Sequence, residues 1–249
     1  MAFRKLFMKE WRSILPLYGV FAAVVLLLHV FVLFKSGAWS DDILLILSVF
    51  LPFLFAGVIA VGTGYYQLHT EWRTNSIYLL MSLPVRGWKV LMAKWTATLS
   101  LLILTSIWIG GSFMMLLLWA KWDGWKTSED LPELLPMLMK ISANGFLLYC
   151  FTVAFLLIVV QFAYLCGQLV AKLKWLVILG AFCGALWLVL RISPLLSGLL
   201  LWTPDLYIVS DTDNSDVLYL HSGPFIGLVI LGAGLVWLNG YIFEQEVEV

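Results

Sequence analysis

The chain has 249 residues, of which 62% are hydrophobic and 12% are charged, and its formal net charge is zero. Soluble domains are about 45–50% apolar and about 25% charged, so this composition excludes an ordinary water-soluble globule. Disorder, which needs low hydrophobicity and high charge, and a basic nucleic-acid-binding face are excluded as well. The composition predicts an all-α polytopic membrane protein that forms a single transmembrane domain over residues 1–249.

The N-terminal residues 1–13 predict a basic amphipathic helix that lies flat in the inner membrane interface, as an elbow before the first span. Its apolar positions recur at helical spacing and are Phe3, Leu6, Phe7, Trp11 and Ile14. Its polar face carries Arg4, Lys5, Lys9, Arg12 and Ser13. The alternative interpretation is a simple cytoplasmic extension of the first span.

Six segments are predicted to span the membrane, because a hydrocarbon core about 30 Å thick requires about 20 apolar residues of helix. Five of them meet this length, namely Ile14–Phe34, Ile43–Tyr66, Trp95–Ala120, Phe146–Val170 and Phe225–Phe243. The remaining one, Trp175–Leu190, is short before it reaches Arg191. An even number of spans places both termini on the same side.

The distribution of basic residues predicts that this side is the cytoplasm, since cytoplasmic loops carry an excess of Lys and Arg. With the N-terminus inside, the inner segments hold Arg4, Lys5, Lys9, Arg12, Arg73, Arg86, Lys89, Lys94, Lys172 and Lys174. The outer segments hold Lys35, Lys121, Lys126, Lys140 and Arg191.

The inner loop over residues 67–89 is predicted to contain a helix, which a simple connection between two spans does not require. Its first part predicts a short helix that carries Glu71, Arg73 and Asn75, and Pro84 is expected to end the helical stretch. A mixed charged and apolar helix facing the cytoplasm can dock into a groove on a soluble partner. The alternative is a solvated loop with a few anchoring side chains.

The segment from Arg191 to Trp202 is apolar but too short to cross the membrane by itself. We expect a short re-entrant segment on the outer side before the sixth span, and the alternative is a continuation of the fifth span past Pro194. Residues 203–222 then form an outer loop.

Small residues within the spans predict close contacts between helices. Ala56, Ala60 and Gly64 form one such stripe, and Gly180 and Gly184 form another.

These features resemble the membrane subunits of two-component ABC exporters, the type-two permease family with the type V exporter fold. The family pattern places a Glu, a Gly-Thr-like pair, Leu-Leu-x-x-Pro with a basic residue, and a Lys between spans two and three. The corresponding residues here are Glu71, Asn75-Ser76, Leu79-Leu80-Met81-Ser82-Leu83-Pro84, Arg86 and Lys94. Asn75-Ser76 stands where Gly-Thr is common.

The resemblance implies that the inner loop is a coupling helix that binds a separate ATPase subunit. The residues that it assigns to this contact are Glu71, Trp72, Arg73, Asn75, Ser76, Ile77 and Leu80. It also implies two ATPase subunits that carry ATP and Mg, a second permease subunit that is identical or homologous, and a location in the bacterial cell membrane. The chain has no G-x-x-x-x-G-K-[ST] phosphate loop, so it is not expected to be an enzyme or to hold a cofactor by itself.

Three polar residues share one face of the fourth span, and they are Gln161, Tyr164 and Gln168. They are either the lining of a substrate path or groups that form interhelical hydrogen bonds between subunits. No charged residue is predicted near the middle of a span, which favours a hydrophobic or amphipathic cargo such as a peptide, an antibiotic or a lipid-like molecule.

The expected function is thus that of an ATP-driven exporter permease. The alternatives are an assembly or scaffold protein that binds a cytoplasmic partner without transport, and an integral-membrane enzyme. An integral-membrane enzyme would need a cluster of His, Asp, Glu or Ser deep in the spans, and the sequence does not contain one.

Overall fold

The computed structural model describes residues 2–35, 37–77, 86–126, 131–170, 172–209 and 217–245. Its helices are α1 (Ala2–Lys35), α2 (Asp41–Leu45), α3 (Leu51–Arg73), α4 (Gly87–Lys126), α5 (Leu131–Gln168), α6 (Lys174–Leu199) and α7 (Gly223–Gln245). A single π-helical turn over Ile46–Phe50 joins α2 to α3, so the three elements form one continuous helical segment. Two short strands, β1 (Asp205–Val209) and β2 (Val217–His221), precede α7.

Six helical segments in the described part of the chain are long and apolar enough to cross a membrane, which is consistent with a multi-pass membrane protein. They are Phe3–Lys35, Asp42–Arg73, Gly87–Trp119, Met139–Gln168, Lys174–Leu199 and Gly223–Glu244. The prediction of six spans is confirmed, and most segments extend beyond their predicted bounds. The extensions arise because a helix satisfies its own backbone hydrogen bonds and can continue past the apolar stretch.

The elbow helix predicted over residues 1–13 is not a separate element in the structure. Helix α1 continues without a break from Ala2 to Lys35, through Pro16. Leu6, Ile14 and Tyr18 are all buried on one side of it, so the same packed stripe runs through the supposed boundary. The alternative of an extension of the first span describes this arrangement better.

The re-entrant segment predicted after Arg191 is likewise part of a longer helix. Helix α6 continues through Pro194 and ends at Leu199. The N–H of the capping residue, Leu200, donates to the Leu196 and Ser197 carbonyls. Proline removes one backbone donor, whereas a break would leave several groups unpaired in an apolar environment. The fifth span therefore continues, as the alternative interpretation had it.

The all-α expectation is confirmed for the membrane-length segments, and the loop predicted over residues 203–222 contains a small antiparallel hairpin. Strand β1 pairs with β2 in a register that sets Asp205 opposite His221. His221 Nδ1 lies 2.8 Å from Asp205 Oδ1, and the Ser222 hydroxyl donates to the Pro204 carbonyl over 2.6 Å. These two contacts close the open end of the hairpin immediately before α7.

Helix α5 is the centre of the bundle and contacts α3, α4, α6 and α7, while α1 packs mainly along α4. The predicted close contact along α3 is confirmed. Ala56 and Ala60 are fully buried, and a Cβ atom at Gly64 would lie only 2.6 Å from Leu157 Cδ2 on α5. On α6, by contrast, nothing within the described chain lies within 4 Å of a Cβ placed at Gly184.

One end of the bundle contains the start of α1, the end of α3, the start of α4, and the ends of α5 and α7. Their side chains form a single apolar cluster that includes Leu6, Leu68, Leu91, Tyr164 and Phe243. We call this the Glu71 end. The first and last helices meet here, as an even number of antiparallel spans requires.

Candidate functional site

The chain between the second and third spans begins with an extension of α3. The predicted short helix carrying Glu71 and Arg73 is not a separate helix, because α3 continues seven residues past the predicted span end at Tyr66 and stops at Arg73. The residues named for partner contact thus start on the last turn of a spanning helix. Residues 78–85, with the Leu79–Pro84 motif and Leu80, lie outside the described part of the chain.

Four charged side chains from three helices form a cluster at the Glu71 end, which we call the charge cluster. Lys94 Nζ of α4 lies 2.7 Å from Glu71 Oε1 and 3.1 Å from Glu10 Oε2. Lys9 Nζ of α1 lies 3.3 Å from Glu10 Oε1 and 3.4 Å from Glu71 Oε1. Two cations and two carboxylates balance, so the cluster is neutral when all four groups are ionised.

Burial makes these contacts energetically significant. The Lys94 side chain is 1% exposed, and the side chains of Glu10 and Glu71 are each 7% exposed, whereas that of Lys9 is 55% exposed. A buried charge is costly unless it is paired, and removing one member of a buried pair leaves an uncompensated charge. The cluster therefore fixes the relative positions of α1, α3 and α4, with Lys9 as its solvent-facing member.

Glu10 was not singled out from the sequence, although a local signal for its burial exists. It lies four residues from both Leu6 and Ile14, and the three side chains share one buried stripe of α1. The helical spacing that predicted an apolar face thus also places a carboxylate on it. Its partner, Lys94, lies two turns inside α4 and could be found only from the packing of two distant segments.

A second polar contact continues the charge cluster one turn further into the bundle. The Thr98 hydroxyl donates to Gln67 Oε1 over 3.4 Å, and both side chains are buried between α3 and α4. Gln67 precedes Glu71 by one turn, and Thr98 follows Lys94 by one turn. The same two helices are therefore joined by polar side chains over two successive turns.

Aromatic side chains join the end of α3 to the other side of the bundle. The Trp72 ring packs edge-on against Tyr164 of α5, with centroids 5.5 Å apart, and against Phe243 of α7 at 5.9 Å. Tyr65 of α3 makes a further edge-on contact with Tyr164 at 5.3 Å. Such pairs contribute about 0.5–1.5 kcal/mol each beyond the burial of their surface. The last turns of α3 are thus held to α1 and α4 by charges and to α5 and α7 by aromatic rings.

The turn that follows α3 is exposed but ordered by its own hydrogen bonds. The Thr74 N–H and hydroxyl both donate to the Thr70 carbonyl, at 2.9 and 2.8 Å. Asn75 has a φ of 55°, in the left-handed region, and its N–H donates to the Trp72 carbonyl over 3.3 Å. A left-handed residue just past a helix end is a common C-terminal cap. Ile77 then returns to the buried apolar cluster.

The described residues among those assigned to partner contact divide into three groups. Arg73 and Asn75 are exposed, as is Thr74 between them, which was not assigned to the contact, whereas Glu71 and Ile77 are buried. Trp72 and Ser76 are partly buried. Among residues 71–77, the surface exposed to a partner is the turn over residues 73–76, and Glu71 lies beneath it.

The three polar residues of the fourth span contact other helices of the same chain. Gln161 Nε2 donates to the Leu91 carbonyl of α4 over 3.3 Å, and Tyr164 is buried among aromatic rings. Gln168 Oε1 accepts a hydrogen bond from Lys174 Nζ over 3.0 Å at the α5–α6 connection. These contacts lie within one chain, whereas the alternative interpretation placed such hydrogen bonds between subunits. Both that alternative and a role in a substrate path stay predictions.

The Glu71 end joins α1, α3, α4, α5 and α7 through buried charges and aromatic rings. Within the described ranges, no group of three or more His, Cys, Asp or Glu side chains is placed to hold a metal ion.

Comparison of the chain with known proteins found no matching family model, no matching curated protein and no matching solved structure. The class that the fold supports is that of a six-helix, multi-pass membrane protein.

Proposed function

We propose that this chain is the membrane-spanning permease subunit of an ATP-driven exporter of the ABC type. Its ATPase is a separate subunit that docks on the exposed turn over residues 73–76, and two ATPase subunits and two permease subunits form the transporter. The cargo is hydrophobic or amphipathic, such as a peptide, an antibiotic or a lipid-like molecule. The membrane is the bacterial cell membrane, with both termini on the cytoplasmic side.

The observation that carries the proposal is the attachment of an exposed turn to a rigid junction of five helices. The turn follows directly after Trp72 and Glu71, which join α3 to α1, α4, α5 and α7. A push on such a turn is transmitted to several spanning helices together, because the contacts beneath it are buried and paired. Rigid-body movement of this kind is how soluble subunits move membrane domains between two states.

The conformation of Asn75 supports the resemblance on which the proposal rests. Its φ of 55° lies in the region that glycine adopts freely and that asparagine tolerates better than most residues. Asparagine here, where the family often has glycine, keeps the same backbone turn. The departure from the family pattern is therefore conservative in backbone geometry.

Glu71 acts in this proposal as a positioning residue and not as a direct contact. Its side chain is almost fully buried, and its Oε1 atom is shared by Lys94 and Lys9. The direct contacts to the ATPase come from Arg73, Thr74 and Asn75, whose side chains are exposed.

A scaffold that binds a cytoplasmic partner without transport is the second candidate, and the same exposed turn favours it. The two functions differ in the partner, because only the exporter requires a chain with a nucleotide-binding phosphate loop.

Co-purification tests the proposal. The chain is isolated from native membranes in mild detergent, and its partners are identified by mass spectrometry. We expect an ATPase chain with a phosphate loop, and we expect Arg73→Glu to reduce its recovery at least tenfold. Lys172→Glu is the matched control, because Lys172 is an exposed basic residue in a different connection. Recovery of other partners without any ATPase chain contradicts the exporter and favours the scaffold.

A further inference from the structure

A cleft at the Glu71 end, between the start of α4 and the end of α7, is separate from the exposed turn and the charge cluster. Its volume is about 470 Å³, and its lining includes Arg86, Trp88, Trp237, Gly240, Tyr241 and Glu244. The two helices approach closely at its base, where a Cβ atom at Gly240 would lie 2.8 Å from the Trp88 Cβ atom. We call it the α4–α7 cleft.

One part of the α4–α7 cleft is aromatic and open to the outside. Trp88, Trp237 and Tyr241 are 41%, 71% and 50% exposed, and the rings of Trp237 and Tyr241 stack with centroids 6.0 Å apart. Trp88 and Tyr241 lie within three residues of an end of segments that are long enough to span a membrane, and Trp237 lies one turn further in than Tyr241. Tryptophan and tyrosine at such positions lie at the level of the lipid headgroups.

The other part of the cleft is basic. Arg86 lines the cleft. Lys89 lies next to the cleft and does not line it, and its Nζ is 5.6 Å from the centroid of the Trp88 ring, which does. Both basic side chains are exposed, and neither makes an ion pair with any residue that the structure describes. Their charges are therefore available to an anion that occupies the cleft.

Among the described residues that line the cleft, Glu244 carries the one carboxylate, and it is already engaged. Glu244 Oε1 accepts a hydrogen bond from the Gly87 N–H over 2.9 Å, at the N-terminus of α4. The first N–H groups of a helix and the positive end of its dipole stabilise a carboxylate there. Glu244 thus neutralises the helix terminus and not the two basic side chains.

We propose that the α4–α7 cleft binds an anionic phospholipid, with the phosphate between Arg86 and Lys89 and an acyl chain along the apolar surface of Ala233, Val236 and Trp237. Charge complementarity selects the headgroup, and the aromatic rim sets its depth. Basic pockets between spanning helices on the cytoplasmic side bind anionic headgroups in this way. The proposal depends on the membrane location of the chain and not on the exporter function.

Lipid retention tests this proposal. The full chain is purified, stripped of lipid, and incubated with detergent micelles that contain phosphatidylglycerol or phosphatidylcholine, and retained lipid is counted by native mass spectrometry. We expect preferential retention of phosphatidylglycerol and a loss of about 30-fold in its affinity for Arg86→Gln with Lys89→Gln, since each basic residue near a membrane surface contributes about fivefold. Soluble glycerol phosphate should not displace the lipid at equal concentration.

A double variant with the same charge change outside the cleft, Arg12→Gln with Lys172→Gln, is the control and should retain lipid as the unchanged chain does, since both side chains are exposed. If the cleft variant does not fold, as judged by size-exclusion chromatography, Lys89→Gln alone should lower the affinity about fivefold. Equal retention of both lipids, equal losses in the two double variants, or displacement by glycerol phosphate each overturns the proposal.

Discussion

Lys94 and Glu71 form an ion pair of 2.7 Å between α4 and α3, with Lys94 1% exposed and Glu71 7% exposed at the side chain. Glu10 provides Lys94 with a second carboxylate at 3.1 Å, so a single ammonium group joins three helices. This pairing is the strongest polar constraint at the Glu71 end, since the charges are shielded from water. The exposed turn over residues 73–76 begins two residues after it.

Removal of Lys94 is expected to destabilise the chain most among the four charged residues. Lys94→Met leaves two buried carboxylates with only Lys9 near them, and loss of one partner of a buried pair costs about 3–5 kcal/mol. Lys9→Gln should cost less than about 1 kcal/mol, because the Lys9 side chain is 55% exposed. Unfolding in mixed micelles with increasing dodecyl sulfate measures both changes.

The double variant Glu71→Gln with Lys94→Gln is the control for this order. Residues in direct contact couple by about 0.5–3 kcal/mol. The double variant should therefore lose less unfolding free energy than the sum of the losses in Glu71→Gln alone and Lys94→Gln alone. A loss at Lys9 as large as that at Lys94 would show that the charges are not buried in this arrangement.

Asn75 provides a test of the backbone of the exposed turn. Asn75→Gly should change the free energy of unfolding by no more than about 0.5 kcal/mol, because glycine adopts a positive φ without a Cβ clash. Asn75→Ala should cost about 1–2 kcal/mol, which is the penalty of the left-handed conformation for an ordinary residue. The side chain is exposed, so loss of packing does not complicate the comparison. Equal stability of the two variants contradicts the left-handed turn.

Gly64 tests the close contact between α3 and α5. Gly64→Val places its first added carbon 2.6 Å from Leu157 Cδ2, and overpacking of this kind costs about 1–3 kcal/mol. A Cβ atom at Gly62, on the same helix, would meet nothing within 4 Å among the described residues, so Gly62→Val should be near neutral. Thermal unfolding of the two variants in the same detergent gives the comparison. A larger loss at Gly62 than at Gly64 would mean that α3 is rotated relative to this packing.

His29 tests a polar contact near the opposite end of α1. His29 Nε2 donates to the Ser48 carbonyl in the π-helical turn over 2.8 Å, and Nδ1 lies 2.8 Å from the Ser112 hydroxyl of α4. The side chain is buried, so His29→Phe should cost about 1–3 kcal/mol by leaving polar groups without a partner. His29→Gln retains a donor and should lose less. The unfolding free energies of the two variants should therefore differ, and a more stable Phe variant would contradict the contact.

The sequence predicted what depends on neighbouring residues and missed what depends on distant ones. Hydropathy predicts the six membrane-length segments, because each helix satisfies its backbone hydrogen-bonding groups within its own local sequence. The spacing of Leu6 and Ile14 predicts the buried side of α1, because residues at helical spacing share one face. The pairing of Glu10 with Lys94 joins residues 84 positions apart, and no local pattern contains it.

Helix ends were the less predictable part of the fold. The helix through Pro194 continues because one lost hydrogen bond costs less than an unpaired backbone in an apolar environment. The extension of α3 to Arg73 was hidden because polar residues after Tyr66 resemble a loop in composition, although their side chains pair inside the bundle. The hairpin before α7 depends on strand pairing across residues that composition alone describes as a loop.

Site-specific cross-linking tests the central claim most directly. A photoreactive amino acid at position 73, on the exposed turn, and another at Trp202, which is 80% exposed beyond the opposite end of α6, are activated in cells. We predict an adduct between position 73 and a chain that carries an ATPase phosphate loop, and no such adduct from position 202. An ATPase adduct from position 202, or none from position 73 in a chain that is folded and inserted, would contradict the docking of a nucleotide-driven subunit on this turn.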